Sequence, residues 1–243
     1  MMKKLTKIVV ALLLMTAVVW AVGFTRSNES PCLNECNGRY GGHEYVDLGL
    51  PSGTLWATCN IGASKPEDYG EYFAWGETQT KDDFVWARYK YAEGTTFKDP
   101  RLTKYCCQTS YGNNGYVDRL STLLPQDDAA TAAWGNGWRM PTRGELEELL
   151  SNTTSTWTTQ NGVDGRRFTS TNGESIFIPA AGSRLADSLY RVGLSGNIWS
   201  SSLCADQPCS AWEIGFRSDF CYTRKVDREY GVTVRPVRSA SRN

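Results

Sequence analysis

The chain contains a single histidine, His43, among its 243 residues. Nucleophilic serine and cysteine enzymes usually need a histidine base, and zinc sites usually need several imidazoles. We therefore expect neither kind of site, and we assign His43 a surface or capping role. The sequence also lacks a Gly-rich phosphate loop and a calcium loop with alternating acids. It predicts no catalytic residue, no metal ligand and no cofactor.

Net charge is also lacking, because 26 Lys and Arg residues balance 26 Asp and Glu residues. A chain without a basic excess lacks the electrostatic footprint of nucleic-acid binding. A local excess lies between Arg217 and the C-terminus, where seven basic residues face three acidic ones. Two interpretations stay open for it: a solvated basic face, or attraction for an anionic ligand such as an acidic glycan.

The longest apolar run lies at the N-terminus. Three lysines precede fifteen residues, Ile8–Val22, and small residues close the run. A membrane-spanning helix needs about 20 residues, so this layout favours a cleaved signal peptide over residues 1–23. We expect a secreted or cell-surface protein with no membrane span after cleavage. An uncleaved anchor is the alternative.

The composition of the remaining chain indicates how it is organised. Residues 24–42 are polar, turn-rich and without periodicity, which predicts a linker. Residues 43–238 contain no second polar, turn-rich segment, and they are numerous enough for one domain with a hydrophobic core. Residues 239–243 are predicted to be a tail.

Two helices are predicted from their end signals. In WRMPTRGELEELLSN, Thr142 and Glu145 have the spacing of a capping box, and three leucines then share one stripe. In PQDDAATAAWGNG, acidic residues at the start suit the helix dipole, and Gly135 ends the helix.

The other segments are typical of short antiparallel strands. Asn161-Gly162 and Asn172-Gly173 each lie between β-prone segments, which predicts hairpin turns. Near the C-terminus, alternate residues divide into a predicted core face (Trp212, Ile214, Phe216, Phe220, Tyr222) and a predicted outer face (Glu213, Gly215, Arg217, Asp219, Cys221).

Eight cysteines in an exported chain favour disulfides, although the sequence leaves their connectivity open. Cys204 and Cys209 are a candidate pair that would close a loop of six residues. A metal cluster of Cys32, Cys36 and His43 lacks a fourth ligand. We therefore favour disulfides over metal for the cysteines.

Eight blocks along the chain together resemble the Fibrobacter succinogenes major paralogous domain family. They are VDLGLPSGTLWATCNIGA (46–63), YGEYFAWGET (69–78), LTKYC (102–106), WGNGWRMPTRGELEELL (134–150), NGVDGRRF (161–168), IFIPAAGSR (176–184), GNIWSSS (196–202) and YGVTVRPVR (230–238). The resemblance implies an exported α+β domain with a C-type-lectin-like fold, in which two helices pack on small antiparallel sheets and the termini lie close together. It implies a binding module more than an activity. The EPN and WND motifs of calcium-dependent lectins are absent from the sequence.

The segment from Ser202 to Glu229 also resembles the variable segments that retroelements diversify in some proteins of this fold. A fixed frame there carries exchanged residues that contact a protein or glycan ligand at the cell exterior. In this chain the resemblance implies these contact residues: Cys204, Asp206, Glu213, Arg217, Asp219, Tyr222, Arg224, Lys225, Asp227 and Glu229. The alternative is that they are ordinary solvent-facing residues.

Two further functions stay open. The chain resembles formylglycine-generating enzymes in its R-x-P-T-x-x-E helix start and its final strand, which would give Cys204, Cys209 and Cys221 a reactive role. Their flanking residues do not match that family's cysteine motif, and a shared fold does not transfer activity. A structural subunit of a surface assembly is the other alternative, and it would need an exposed apolar patch or strand edge.

Overall fold

The structure is a computed structural model that describes residues 37–135 and 137–240. Within these ranges the chain forms two α-helices, α1 (Ala129–Trp134) and α2 (Arg143–Asn152), and fourteen short strands. All but one of the pairings between these strands are antiparallel. The predicted α+β class is confirmed.

The strands of the described residues form four sheets. One joins, in this order, β1 (Asn37–Tyr40), β2 (His43–Asp47), β3 (Thr54–Ala57) and β14 (Val237–Ser239). A five-stranded sheet joins β12 (Cys221–Asp227), β11 (Ser210–Phe216), β10 (Gly196–Leu203), β13 (Val232–Thr233) and β4 (Tyr72–Phe73). The others are a meander of β5 (Thr153–Gln160), β6 (Val163–Ser170) and β7 (Ser175–Pro179), and a hairpin of β8 (Ser183–Leu185) and β9 (Ser188–Tyr190).

Both predicted helices form where their end signals lie. The Thr142 hydroxyl accepts from the backbone N–H of Glu145, whose carboxylate accepts from the backbone N–H of Thr142 at 2.8 Å. Asp128 caps α1 by accepting from the backbone N–H of Thr131 at 2.9 Å. Gly135 ends α1 with a φ of +86°. The capping box and the glycine stop are confirmed.

The two predicted Asn-Gly turns also form. Asn161 and Gly162 connect β5 to β6 with φ values of +49° and +84°, which suit a two-residue hairpin turn. Between β6 and β7, Gly173 has a φ of +90° and its N–H donates to the Ser170 carbonyl at 3.0 Å. The meander is therefore confirmed.

The predicted linker over residues 24–42 is wrong for residues 37–42. β1 pairs antiparallel with β2, with Tyr40 opposite His43. Gly41 and Gly42 make the turn between them with φ values of +57° and +89°. Because glycine adopts positive φ without strain, this pair allows a tight hairpin within a segment whose polar composition is typical of a linker.

The predicted signal peptide, residues 24–36 and the cysteines Cys32 and Cys36 lie outside the described residues. Within residues 37–135 and 137–240, no helix is long and apolar enough to cross a membrane.

Two clusters of buried side chains lie on opposite faces of the five-stranded sheet. On one face, Ile198 and Ile214 pack with Leu146 and Leu149 of α2. On the other face, Trp199 packs with apolar and aromatic side chains from the long, mostly irregular segment 73–130. Neighbouring residues of β10 thus belong to different clusters, as the alternation of a strand requires.

The irregular segment is attached to the sheet by Arg228, which is fully buried just after β12. Its guanidinium donates to the carbonyls of Lys104, Tyr105 and Pro208 and to the hydroxyl of Tyr89, at 2.8–3.2 Å. Three aromatic rings lie 4.9–5.9 Å from it. These contacts compensate the cost of removing a charge from water.

Trp212 does not belong to the core, so its predicted place there is wrong. It lies on the same face as Ile214 but is only half-buried, and the guanidinium carbon of Arg143, at the start of α2, lies 3.6 Å from its ring centre. Trp199, in contrast, is fully buried, and its indole N–H donates to the Phe73 carbonyl at 2.8 Å.

The two tryptophans make a matched pair for a stability test. We expect Trp199→Ala to lower the free energy of unfolding by about 3–5 kcal/mol, because a buried aromatic side chain leaves a cavity. Trp212→Ala should cost much less, since its ring keeps contact with water. Urea denaturation of both variants measures the difference, and equal losses would contradict the placement of Trp212.

Candidate binding pocket

A pocket of about 460 Å³ opens over the five-stranded sheet. Strands β10, β11 and β12 contribute lining residues, as do β8, β9 and the loop that follows β9. Tyr230 and Val232, after β12, complete the lining. The volume falls within the range of about 300–1,000 Å³ that is usual for small-molecule sites. We call this cavity the sheet pocket.

The hairpin of β8 and β9 is held beside the sheet by backbone contacts. Arg184 and Gly231 exchange N–H to carbonyl hydrogen bonds of 2.7 and 3.0 Å. A Cβ at Gly231 would lie 2.7 Å from the Phe84 ring, so this close approach requires glycine. The Asn197 side chain donates to the Gly182 carbonyl at 3.0 Å, which fixes the start of the hairpin to β10.

A hydrogen-bonded network of polar side chains crosses the floor of the sheet pocket. Arg224 on β12 lies opposite Glu213 on β11 and donates from Nε to Glu213 Oε1 at 2.8 Å. The same guanidinium donates to Asn197 Oδ1 on β10 at 2.8 Å. Gly215 leaves room for this arrangement, because a Cβ there would lie 2.5 Å from Arg224 Nε. Three neighbouring strands therefore carry one hydrogen-bonded network.

Glu213 has an unusual environment for a carboxylate. Its side chain is fully buried, whereas that of Arg224 is 40% exposed. Burial raises the pKa of Glu213 to about 7, although the charge of Arg224 and its hydrogen bond oppose that shift. The ion pair alone would lower the pKa, so burial is the larger effect. The second oxygen, Oε2, is buried and has no hydrogen-bond partner among the described residues.

Aromatic and basic side chains surround this polar floor. The Phe220 and Tyr222 rings lie 5.0 Å apart, and both line the pocket. Arg217 lies 5.7 Å from the Phe220 ring, and Arg191 lies 5.3 Å from the Tyr190 ring. The pocket thus combines flat apolar faces with three arginines, counting Arg224.

The sheet pocket brings together four of the ten predicted contact residues, namely Glu213, Arg217, Tyr222 and Arg224. Several details of the predicted faces are wrong. Cys221, predicted on the outer face, is half-buried against the cluster that contains Phe216, and Phe220, predicted in the core, lines the pocket. Glu213 was predicted on the outer face, but it is buried, and Arg224 pairs with it. Tyr222 was predicted to be in the core, but it is 49% exposed.

Tyr222 lies on the face opposite to the predicted one because of the turn between β11 and β12. The N–H of Arg217 donates to the Phe220 carbonyl at 2.9 Å, which reverses the chain. Tyr222 then pairs with Gly215 and lies on the same face as Glu213. Alternation along a sequence predicts faces only within one strand, so counting across residues 217–220 gave the wrong face.

Three other predicted contact residues form a group outside the pocket. The Lys225 ammonium donates to Asp206 Oδ2 at 2.6 Å, and the Cys204 thiol donates to Asp206 Oδ1 at 2.9 Å. Lys225 pairs with Trp212, one residue along β12 from Arg224, and so lies on the opposite face. Cys204 is buried, which contradicts its predicted exposure to ligand.

The remaining predicted contact residues have separate environments. Asp219 is exposed in the turn and does not line the pocket. Asp227 accepts from the Ser210 hydroxyl at 3.2 Å. Glu229 is buried, and burial raises its pKa to about 8. Its predicted exposure is therefore wrong, because the chain turns inward at Arg228.

The candidate disulfide between Cys204 and Cys209 is not formed. The thiol of Cys204 points to Asp206, whereas that of Cys209 lies 3.6 Å from the Phe97 carbonyl. The six cysteines that the structure describes are all free thiols: Cys59, Cys106, Cys107, Cys204, Cys209 and Cys221. Burial raises the pKa of Cys209 to about 12 and that of Cys221 to about 11.

Sequence reasoning missed the pocket residues outside Ser202–Glu229, chiefly Tyr190, Arg191 and Asn197. One signal was present. The segment SRLADSLYRVGLSG carries large apolar residues among turn residues, and the structure leaves Leu189 and Tyr190 more than half exposed. These large apolar residues among turn residues are the signal that could have drawn attention to the hairpin.

Within residues 37–135 and 137–240, no group of three or more His, Cys, Asp and Glu side chains is arranged to hold a metal ion. Comparisons of the chain with protein-family models, with curated proteins and with solved structures gave no match.

The buried Glu213 carboxylate predicts a specific pH dependence. The unfolded chain loses this proton near pH 4.5, while the folded chain keeps it up to about pH 7. Stability should therefore fall as the pH rises through this window, by at most roughly 3 kcal/mol. Glu213→Gln removes the charge and keeps an acceptor for Arg224, so its stability should lack this decline.

Urea denaturation of both proteins at pH 5 and pH 8 measures the effect. Subtracting the variant from the wild type cancels other groups, including Glu229, whose pKa is also raised. A difference that does not change with pH, or that changes in favour of the wild type at pH 8, would show that Arg224 outweighs burial.

Proposed function

We propose that the chain is an exported binding module whose sheet pocket holds a protein or glycan ligand. The observation that supports it most is the fully buried Glu213, which lines the pocket with one oxygen unpartnered among the described residues. A buried acceptor without a donor costs about 1–3 kcal/mol, and a ligand that supplies a donor would recover that cost. The surrounding aromatic rings and arginines are residue types that dominate binding sites.

We also propose that the fold is C-type-lectin-like and that the chain belongs to the major paralogous domain family. Two features support this. The sheet with β1 and β2 also contains β14, so the two ends of the described chain lie in one sheet. In addition, α2 packs on the five-stranded sheet, whose other face is covered by a long irregular segment.

The proposal that Ser202–Glu229 is a diversified segment has a more limited basis. Tyr222 and Arg217 line the sheet pocket, and exchange at these positions would change ligand contacts without removing core residues. Cys204 and Glu229 are buried, so exchange there would disturb packing. The structure therefore supports a smaller variable set than the sequence does.

Cysteine chemistry is the less favoured alternative. The raised pKa values of Cys209 and Cys221 mean that both thiols are protonated at neutral pH, and thiolates are the nucleophiles. Cys204 also has a raised pKa, mainly because it is buried. These environments are those of structural cysteines.

A second candidate function is contact with another protein through the hairpin of β8 and β9. Leu185, Leu189 and Leu194 are 44%, 53% and 65% exposed beside the sheet pocket. Apolar residues clustered in this way favour a partner surface. Self-association in sedimentation experiments, lost on Leu189→Ser, would favour this function.

Tyr222→Ala tests whether the sheet pocket is the ligand site. We expect the wild type to bind members of an array of glycans and capped peptides, and the variant to lose at least about tenfold in affinity. Tyr116→Ala is the matched control, because Tyr116 is 39% exposed and does not line the pocket. Binding that both variants retain equally would place the ligand elsewhere.

A further inference from the structure

The charges in the sheet pocket are unequal. Its lining contains three arginines, Arg191, Arg217 and Arg224, and one acidic residue, Glu213. Arg224 pairs with Glu213. Arg191 and Arg217 form no ion pair with any residue that the structure describes. Two unpaired guanidinium groups therefore line the cavity, and guanidinium groups match the planar geometry of a carboxylate.

A ligand that matches this pocket would supply a hydrogen-bond donor to its floor as well as an anionic group to its arginines. Glu213 Oε1 already accepts from Arg224, while Oε2 is buried without a partner among the described residues. A ligand hydroxyl can donate to Glu213 while accepting from Arg224. Because Glu213 Oε2 has no exposed surface, this contact requires the 40% exposed side chain of Arg224 to shift. An ammonium group would also donate, but it would meet the three arginines.

The aromatic residues add flat apolar surface next to these polar groups. Phe220 and Tyr222 form a tilted pair, and Tyr190 lies on the hairpin side of the cavity. Such faces suit the C–H face of a sugar ring, whose hydroxyls point outward from its edge. A carboxylate, hydroxyls and an apolar ring face occur together in an acidic sugar.

We propose, on the basis of the binding function above, that the sheet pocket takes a sugar that carries a carboxylate, such as a uronic acid unit of an acidic glycan. The carboxylate faces Arg191 and Arg217, and one hydroxyl lies beside the Glu213–Arg224 pair. Aromatic contact with the ring fixes its orientation.

Calorimetry with three probes tests the ligand class. The probes are trigalacturonate, its carboxyl-reduced neutral counterpart, and an acetylated and amidated triaspartyl peptide. At about 0.15 M salt, where long-range attraction is screened, we expect trigalacturonate to bind at least about tenfold more tightly than either of the others. The neutral sugar controls for ring shape, and the peptide controls for charge.

Variants locate the contacts. Arg217→Gln should weaken trigalacturonate binding by about tenfold. At pH 8, where Glu213 is mostly charged, Glu213→Gln should weaken it as well, because the hydroxyl loses its charged acceptor. Arg119→Gln removes the same charge from an exposed residue outside the pocket and should leave binding unchanged. Thermal melts of each variant confirm that the fold is retained.

Each remaining outcome overturns the inference. Equal losses for Arg217→Gln and Arg119→Gln would mean that net charge, not the pocket, attracts the probe. Preference for the neutral sugar or the peptide, with dependence on Arg217, would leave the binding function intact and reject the acidic sugar. If no probe binds, the acidic sugar is rejected, and the Tyr222 array experiment still decides the binding function separately.

Discussion

The buried guanidinium of Arg228 is the interaction on which the arrangement around the sheet depends most. Segment 73–130 has little regular secondary structure, so much of its backbone has no strand partner of its own. Arg228 satisfies two carbonyls of this segment, those of Lys104 and Tyr105, and joins them to Pro208, between β10 and β11. Because Tyr230 and Val232 follow Arg228 by two and four residues, this anchoring also helps to place one edge of the sheet pocket.

The sheet pocket exists because one face of the sheet is only partly covered. Trp199 on that face is sealed by the irregular segment, whereas Tyr222, across β11 and towards the sheet edge, is exposed. Glu213 lies between these two environments, where it is buried and paired with Arg224. Removing a carboxylate from water at such a border costs free energy, and the carboxylate is a strong hydrogen-bond acceptor. The same position thus explains its raised pKa and its proposed role.

Local signals in the sequence predicted local structure well. The capping box of Thr142 and Glu145 and the Asn161-Gly162 turn depend on a few adjacent residues, and both form as expected. The face of Tyr222 was missed because it depends on the conformation of the preceding turn. The burial of Glu213 was missed because it depends on tertiary contacts, which the alternation of residues along one strand does not encode.

The candidate site was predictable to a similar degree. The segment Ser202–Glu229, predicted to contact ligand, contributes several residues to the sheet pocket, since β11 and β12 lie within it. Its partners from β9 and β10, such as Tyr190 and Asn197, required the register of the sheet and the placement of the hairpin. Those are tertiary features, and a pattern of residues does not encode them locally.

A crystal structure of the chain with trigalacturonate would test the role of the sheet pocket most directly. We expect a sugar ring against Tyr222, a carboxylate within about 3 Å of Arg191 or Arg217, and a hydroxyl that donates to Glu213 Oε2. A sugar bound at another surface, with the sheet pocket holding only water, would contradict the assignment of this pocket as the ligand site.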